Sequence, residues 1–273
     1  MANVINVIFV ILVIILIAFF LFSGGSLINQ IGLQPPEARQ NNPSDGNGAS
    51  EPSSEKNAVK TVRIYTANYR AEKQDEEYIE ISADYSNTEP VNISGWRLEN
   101  RDKDYFIIPK GASLPYTAQV NIQGDIKLSP GEKAIIITGK SPFNTSFRPN
   151  ICAGYFNRLY EFKPRLPEDC PDPDKEAGVS AQNNACFSYL KTLSKCQTPN
   201  LSSAPSDVNF ACREFVEQRL NYAGCVEAHK NEAEFFSKEW RVYLEQNEEA
   251  WSNVRETIKL FDQNSNLIAE TSI

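Results

Sequence analysis

The sequence predicts a mainly β protein that carries a disulfide-rich helical insertion and an N-terminal transmembrane helix. Three observations support this fold class. From residue 60 onward, short segments alternate apolar and polar side chains with the two-residue period of β-strands. All six cysteines lie in one stretch of the chain, which also contains two helix-like segments. Residues 4–22 form a long apolar run near the N-terminus.

The apolar run VINVIFVILVIILIAFFLF, residues 4–22, is interrupted by a single polar side chain, Asn6. A helix of this length can cross the hydrocarbon core of a bilayer. A cleaved signal peptide would instead have a basic N-terminal region, a shorter apolar segment and a small-residue cleavage site. Because the preceding residues contain no Lys or Arg and SGGS is a poor cleavage site, an uncleaved anchor is favoured. Residues 23–59, rich in Pro, Ser, Asn and Gly, are expected to be a flexible linker.

The cysteines indicate the compartment of the rest of the chain. An even, clustered set of cysteines is typical of a disulfide framework, and disulfides persist outside the cytosol. A zinc site is the alternative, but no CxxC pair occurs and His229 is the single histidine. We therefore expect a single-pass membrane protein with a cytoplasmic N-terminus and an extracytoplasmic C-terminal domain.

Strand-like segments occur in two blocks, residues 60–148 and 237–273, with the cysteine-rich residues 149–236 between them. A turn at Pro130-Gly131 separates two segments of the first block. The simplest arrangement is one β-domain of 60–148 plus 237–273, interrupted by a helical insertion of 149–236. At about 125 residues, the β-domain has nearly the size of an immunoglobulin-like sandwich.

The insertion contains two predicted helices, NNACFSYLKTL (183–193) and a second that begins after an N-cap at Ser206 and stops by Gly224. A short connection favours antiparallel helices, which would pair Cys196 with Cys212.

The same hairpin would pair Cys186 with Cys225 and leave Cys152 for Cys170. Sequential pairing, Cys186 with Cys196 and Cys212 with Cys225, is the alternative. It is disfavoured because ten helical residues span about 15 Å, beyond the reach of a disulfide.

The segment PVNISGWRLEN, residues 90–100, places Trp96 directly after a polar Ser94-Gly95 pair. Alternation on both sides predicts strands, and an interior glycine indicates a bulge or kink. Trp96 is therefore expected to be buried in the structural core with Ile79, Ile81 and Ile136. A ligand-stacking role for Trp96 is the alternative.

Several segments of the β-domain together resemble the lamin tail domain family. The matching residues are Glu77, Tyr78, Ile79 and Glu80, then Ser94, Gly95 and Trp96, then Phe106, Pro109 and Gly111, then Pro130, Gly131 and Glu132, and finally the hairpin ETIKLFDQNSNLIAE. The sequence departs from the family pattern at Ile93, often Leu, and at Asn266, often Gly. The resemblance covers about 125 residues. The whole arrangement of anchor, linker and domain is also similar, more weakly, to membrane-anchored bacterial proteins that carry this domain.

The resemblance implies an immunoglobulin-like sandwich that serves as an interaction module, linked to protein, membrane or DNA partners and without chemistry of its own. A formal net charge of −8 disfavours nucleic acid as a partner. No nucleotide-binding or nucleophile motif occurs.

One histidine excludes most catalytic triads and multi-histidine metal sites. His229 has Glu227, Glu232 and Glu234 nearby in sequence, and we expect a surface or capping histidine rather than a metal ligand. The pairs Glu76-Glu77 and Glu248-Glu249 could serve glycosidase chemistry, but solvated faces are the expected role.

The expected function is thus that of a non-enzymatic, membrane-tethered, extracytoplasmic interaction or cell-envelope protein. Its expected partners are the membrane, through the N-terminal helix, and a protein or cell-envelope component; no catalytic residue, metal or cofactor is expected. The alternatives are an extracytoplasmic hydrolase with an unrecognised site in the insertion and a purely structural envelope component.

Overall fold

The computed structural model describes residues 61–117 and 119–273 of the protein. The predicted anchor, residues 4–22, and the predicted linker, residues 23–59, lie outside the described residues. Within the described part, none of the helices combines the length and the apolar character that crossing a bilayer requires.

Short strands dominate the described chain, as the alternating segments predict. They are β1 Val62–Asn68, β2 Tyr78–Ala83, β3 Val91–Asn92, β4 Arg97–Glu99, β5 Tyr105–Ile107, β6 Gly111–Ala112, β7 Lys127–Leu128, β8 Lys133–Ile137, β9 Ser146–Phe147, β10 Glu239–Tyr243, β11 Thr257–Phe261 and β12 Leu267–Ser272. The α-helices are α1 Asn184–Leu190, α2 Phe210–Arg219 and α3 Tyr222–His229. Short 3-10 helices span Ala153–Arg158, Pro173–Lys175, Val179–Ala181 and Leu201–Ser203.

The strands form a six-stranded sheet in the order β1-β2-β8-β10-β9-β6, a four-stranded sheet in the order β12-β11-β4-β5, and a small β3-β7 pair. In the centre of the larger sheet, β8 and β10 run parallel, with Ile136 beside Val242. A parallel pair needs a crossover connection. The cysteine-rich segment lies within that crossover. The chain therefore leaves the sheet after β8 and returns to it at the neighbouring strand β10, in the middle of the sheet.

The two larger sheets share one apolar core. It combines Ile79 and Ile136 of the larger sheet with Leu98 and Leu260 of the smaller one. The alternation of buried and half-buried residues along β2 and β11 matches this arrangement. The architecture is sheet-rich with few helices, consistent with a β-sandwich.

Trp96 is buried in this core, with 6% of its surface exposed, and belongs to the same apolar cluster as Ile79, Ile81 and Ile136. The preceding Gly95 has a backbone φ of +78°, a conformation that residues with a Cβ atom rarely adopt. The chain turns there, so β3 and β4 are separate strands in different sheets. Ser94 holds the turn, because its Oγ donates to the carbonyl of Pro109 (3.1 Å) and accepts from the amide of Ile126 (2.8 Å).

A second apolar cluster covers the opposite face of β8 and β10. Ile135, Ile137 and Tyr243 pack there with aromatic rings that follow β8, among them Phe147 and Phe156. Because both faces of β8 are covered, its sequence KAIII is apolar almost throughout rather than alternating. The crossover is therefore part of the packing of the sheet.

Asparagine caps begin all three α-helices of the described chain. The side chains of Asn183, Asn209 and Asn221 accept hydrogen bonds from the amides of Cys186, Cys212 and Gly224, each three residues further on.

The predicted N-cap at Ser206 is therefore wrong, and so is the stop at Gly224. The predicted second helix is two helices, α2 and α3, divided at Leu220-Asn221. Gly224 lies inside α3, where an added Cβ would come within 1.9 Å of the carbonyl oxygen of Gln218. Glycine at this position allows the close approach of α3 to the end of α2.

All six cysteines form disulfides, but none of the three predicted pairs occurs. The structure joins Cys152 to Cys225, Cys170 to Cys196 and Cys186 to Cys212. The predicted pairs, Cys152 with Cys170, Cys186 with Cys225 and Cys196 with Cys212, assumed a two-helix hairpin.

Two differences from that hairpin explain the correction. Helix α1 ends at Leu190, so Cys196 lies outside it. Cys186 and Cys212 occupy equivalent positions in the first turns of α1 and α2, with Cα atoms 5.6 Å apart. These two helices thus meet near their N-terminal ends.

Candidate binding site

A cavity of about 610 Å³ lies between the cysteine-rich segment and the loop that follows β6. Its size falls within the range of small-molecule and anchor-residue pockets. Four separate stretches of chain supply the lining: Tyr116, Thr117 and Gln119; Tyr155, Phe156, Arg158 and Leu159; Gln197 and Thr198; and Asn221, Tyr222 and Ala223.

Aromatic rings form much of the wall. Tyr155 and Phe156 come from the 3-10 helix Ala153–Arg158, and Tyr222 is the first residue of α3. The ring centroids of Phe156 and Tyr222 are 4.1 Å apart, and Tyr116 meets Tyr222 edge-on at 6.1 Å. These contacts tie the loop, the 3-10 helix and α3 into one wall.

A disulfide and a close backbone contact hold this wall. Cys152, directly before the 3-10 helix, is bonded to Cys225 of α3. A Cβ at Gly154 would meet Sγ of Cys196 at 2.3 Å, so the disulfide of Cys196 with Cys170 lies directly against the helix backbone. The two bridges fix the position of Tyr155 and Phe156 relative to Tyr222.

The loop on the other side of the cavity is held by one asparagine. Asn121 accepts a hydrogen bond from the amide of Tyr116 (2.7 Å) and donates one to its carbonyl (3.0 Å). The pair of bonds closes the loop on itself and positions Tyr116 at the wall.

Tyr155 and Tyr222 are neutral hydroxyl groups at physiological pH. Burial raises the pKa of Tyr155 above its ordinary value of 10.0, and the charge of Glu176 raises it further. Burial also raises the pKa of Tyr222, against the opposing effect of its hydrogen bond with Asn150. Asn150 Nδ2 donates to the Tyr222 hydroxyl at 3.1 Å, so the hydroxyl proton of Tyr222 remains available for donation.

Five polar side chains line the cavity without engaging another protein group in the described part of the chain: Thr117, Gln119, Arg158, Gln197 and Thr198. Arg158 is exposed and is the one charged residue of the lining. The site thus combines apolar walls with hydrogen-bonding groups and one cation, and a ligand could use all of them.

The lining contains no carboxylate, imidazole or thiol. Those three groups are common acids, bases and nucleophiles in enzymes, and the ionisable or nucleophilic groups present here besides Arg158 are tyrosine and threonine hydroxyls. Among residues 61–117 and 119–273, no group of histidine, cysteine and acidic side chains is arranged to hold a metal ion. The arrangement offers a ligand apolar walls, hydroxyl and amide groups and one guanidinium.

The sequence predicts a surface or capping histidine at His229; the residue is buried, with 8% of its surface exposed, and lies in the last turn of α3, so the surface position is wrong. Its Nε2 lies 3.0 Å from Oε2 of Glu176, and its Nδ1 lies 2.6 Å from Oε1 of Glu232. Burial by itself lowers the pKa of His229, but the two hydrogen bonds outweigh it, and the pKa lies above the ordinary value of 6.5. Through its contact with Glu176, the histidine links the end of α3 to the segment that precedes Gly178.

The neighbouring acidic residues have other roles. Glu227 pairs with Lys230 at 2.7 Å, and Glu234 is exposed. Neither lies on the histidine ring, so the set does not converge on one point.

Glu77 corrects another expectation, since it is fully buried rather than part of a solvated face. Its carboxylate accepts hydrogen bonds from the amides of Ala250 (2.8 Å) and Trp251 (3.2 Å). Burial raises its pKa, and the hydrogen bonds act in the opposite direction. Glu248 and Glu249 are exposed, as expected for a solvated pair. The acidic pairs therefore serve structure and solvation in this fold.

Sequence reasoning missed the cavity. Its wall residues come from four distant stretches, namely the loop after β6, a 3-10 helix, the segment after α1 and the start of α3, and no shared periodicity marks them as one site. Trp96, the residue that drew attention in the sequence, lies in the core of the sandwich.

In comparisons with known proteins, no protein-family model, no curated protein and no solved structure matches the chain.

Proposed function

We propose that the chain is a non-enzymatic, membrane-tethered, extracytoplasmic interaction protein, built on a lamin-tail-like domain with an immunoglobulin-like sandwich. The partner binds at the aromatic cavity. One observation carries the proposal: a cavity with aromatic walls and a rim of polar side chains that make no hydrogen bond within the described chain. Pockets of this composition are typical of recognition sites.

Two further observations support the proposed location. Three disulfides in the described chain are stable in an oxidising environment, which favours the outside of the cell. The apolar residues 4–22 and the polar residues 23–59 have the composition of an anchor and a tether.

The test compares two leucine variants of the full chain, purified in detergent and used as bait for solubilised cell-envelope material. Leu159 lines the cavity and is 69% exposed, and Leu267 on β12 is 52% exposed. We expect Leu159→Asp to abolish capture of an envelope component that the wild-type chain retains. Leu267→Asp is the matched control, because it adds the same charge at an exposed leucine. It should retain capture, since Leu267 does not line the cavity. Equal capture by the two variants would contradict the assignment of the cavity.

A further inference from the structure

We infer that the cavity takes an apolar anchor side chain from a protein partner, and that Arg158 pairs with a carboxylate next to that anchor in the partner's sequence. The inference rests on the proposed function and specifies the chemistry of the partner.

The first argument is that exposed aliphatic side chains accompany the lining residues. The lining residue Leu159 is 69% exposed, and Val120 and Ile122, one and three residues after the lining residue Gln119, are 95% and 92% exposed. Large aliphatic side chains grouped near a pocket cost free energy in water, and protein partners commonly cover them. A sugar ligand held by hydrogen bonds would gain little from these aliphatic side chains.

The second argument is the composition of the wall. Tyr116, Tyr155 and Tyr222, with Phe156, offer large, rigid rings, and tyrosine and arginine are enriched where a few residues dominate protein–protein binding energy. A volume of about 610 Å³ is sufficient for one large side chain together with the backbone that carries it. The neutral amides Gln119 and Gln197 at the rim can bond to that backbone.

The third argument is charge. The chain has a formal net charge of −8, yet the cavity lining contains no acidic residue and one cation. Arg158 has no ion-pair partner among the described residues. A carboxylate beside the anchor would gain a planar, charge-assisted pair with its guanidinium, whereas a lysine at the same place would meet repulsion. Charge complementarity therefore selects an acidic neighbour for the anchor.

The test uses two synthetic hexapeptides, acetyl-Ser-Gly-Trp-Asp-Asp-Gly-amide and its twin with Asn-Asn in place of Asp-Asp, and maltotriose as a sugar probe. Binding to the full chain is followed by saturation-transfer NMR at low salt. We expect the acidic peptide to bind more tightly than its twin, by up to about fivefold, because an exposed ion pair is worth little more.

A matched pair of arginine variants isolates the charge. Arg158→Gln should bind the two peptides equally. Arg255→Gln removes an exposed arginine that is not part of the lining and should leave the preference unchanged. The preference should also shrink as salt is raised.

Each other outcome overturns a stated part of the inference. Equal binding of the peptides, or a preference that survives in Arg158→Gln, would refute the role of the arginine. Binding of maltotriose without either peptide, or no binding of any probe, would refute the apolar protein anchor. Neither of these two outcomes decides the proposed function. The comparison of Leu159→Asp with Leu267→Asp tests the proposed function separately.

Discussion

Trp96 and His229 are both buried, but their contributions to stability differ in their dependence on pH. Trp96 contributes apolar area to the shared core of both sheets, and its effect on stability is nearly independent of pH. His229 is buried with two carboxylates on its ring, and its contribution depends on its protonation state.

For Trp96 we predict that substitution by alanine lowers the free energy of unfolding by about 3–5 kcal/mol, the usual cost of a large aromatic cavity in a packed core. Urea titration followed by circular dichroism measures it. Tyr105→Ala, at a residue 64% exposed, is the control and should change stability little. A loss below about 1 kcal/mol for Trp96→Ala, with an unchanged fold, would mean that the side chain is not a core residue.

For His229 we predict a pH-dependent stability. Its pKa is raised on folding, so its contribution is fully present below the ordinary value of 6.5 and is lost as pH rises through the folded-state pKa. The urea midpoint of the wild type should therefore fall with rising pH above about 6.5, relative to that of His229→Gln. Parallel pH profiles for the two proteins would show that the histidine is not held as an imidazolium between Glu176 and Glu232.

At the scale of elements, the cysteine-rich segment is organised by helix starts. Cys186 and Cys212 lie three residues after asparagine caps, so one disulfide joins two first turns. Closing a loop of this length, with a sequence separation of 26, stabilises by about 3.5 kcal/mol in the chain-entropy description. Short helices that are marginal alone are held in place by such links.

The caps provide the test of this arrangement. We predict that Asn209→Ala lowers the free energy of unfolding by about 1 kcal/mol, because the amide of Cys212 loses its hydrogen-bond partner. Ser206→Ala, at the position that the sequence pattern favours as the cap, should have almost no effect. The two variants are compared by thermal unfolding under non-reducing conditions. A larger effect at Ser206 than at Asn209 would place the start of α2 elsewhere.

The strands were more predictable than the helices, for physical reasons. In β2 and β11, one face contacts the core and the other does not, so the alternation is visible in the sequence. The two-residue strands β6 and β9 are too short to carry a period. The break between α2 and α3 falls at Leu220-Asn221, where neither proline nor glycine marks it.

The disulfide pairing failed because it assumed a helical hairpin with Cys196 at the end of the first helix, whereas α1 ends at Leu190 and meets α2 near the N-terminal ends of both. The cavity could not be predicted at all, since its walls meet only when the crossover folds back on the sheet. The sequence did predict that the six cysteines form bridges and that Trp96 lies inside.

At the scale of the whole molecule, we predict that the body of the protein is exposed on the cell surface. Protease added to intact cells should remove it, because the apolar residues 4–22 would anchor the chain and the disulfides favour the outside. An immunoblot against a C-terminal epitope measures the loss, with a cytoplasmic protein as the control for intact cells. A body that stays fully protected until the cells are permeabilised would refute the orientation.

The parallel pairing of β8 with β10 has a consequence for the order of folding. The central partner of β8 arrives about 100 residues later in the chain, and closing a connection of that length is entropically costly and slow. Until Glu239–Tyr243 has emerged, the ribbon of β1, β2 and β8 has an open inner edge, and such an edge is prone to aggregation. The disulfides lie entirely within the intervening segment, so oxidation can shorten the effective length of that connection before the strand arrives. Catalysts of disulfide formation should therefore matter for the yield of folded protein during biogenesis. Once the chain is folded, its stability should no longer depend on them.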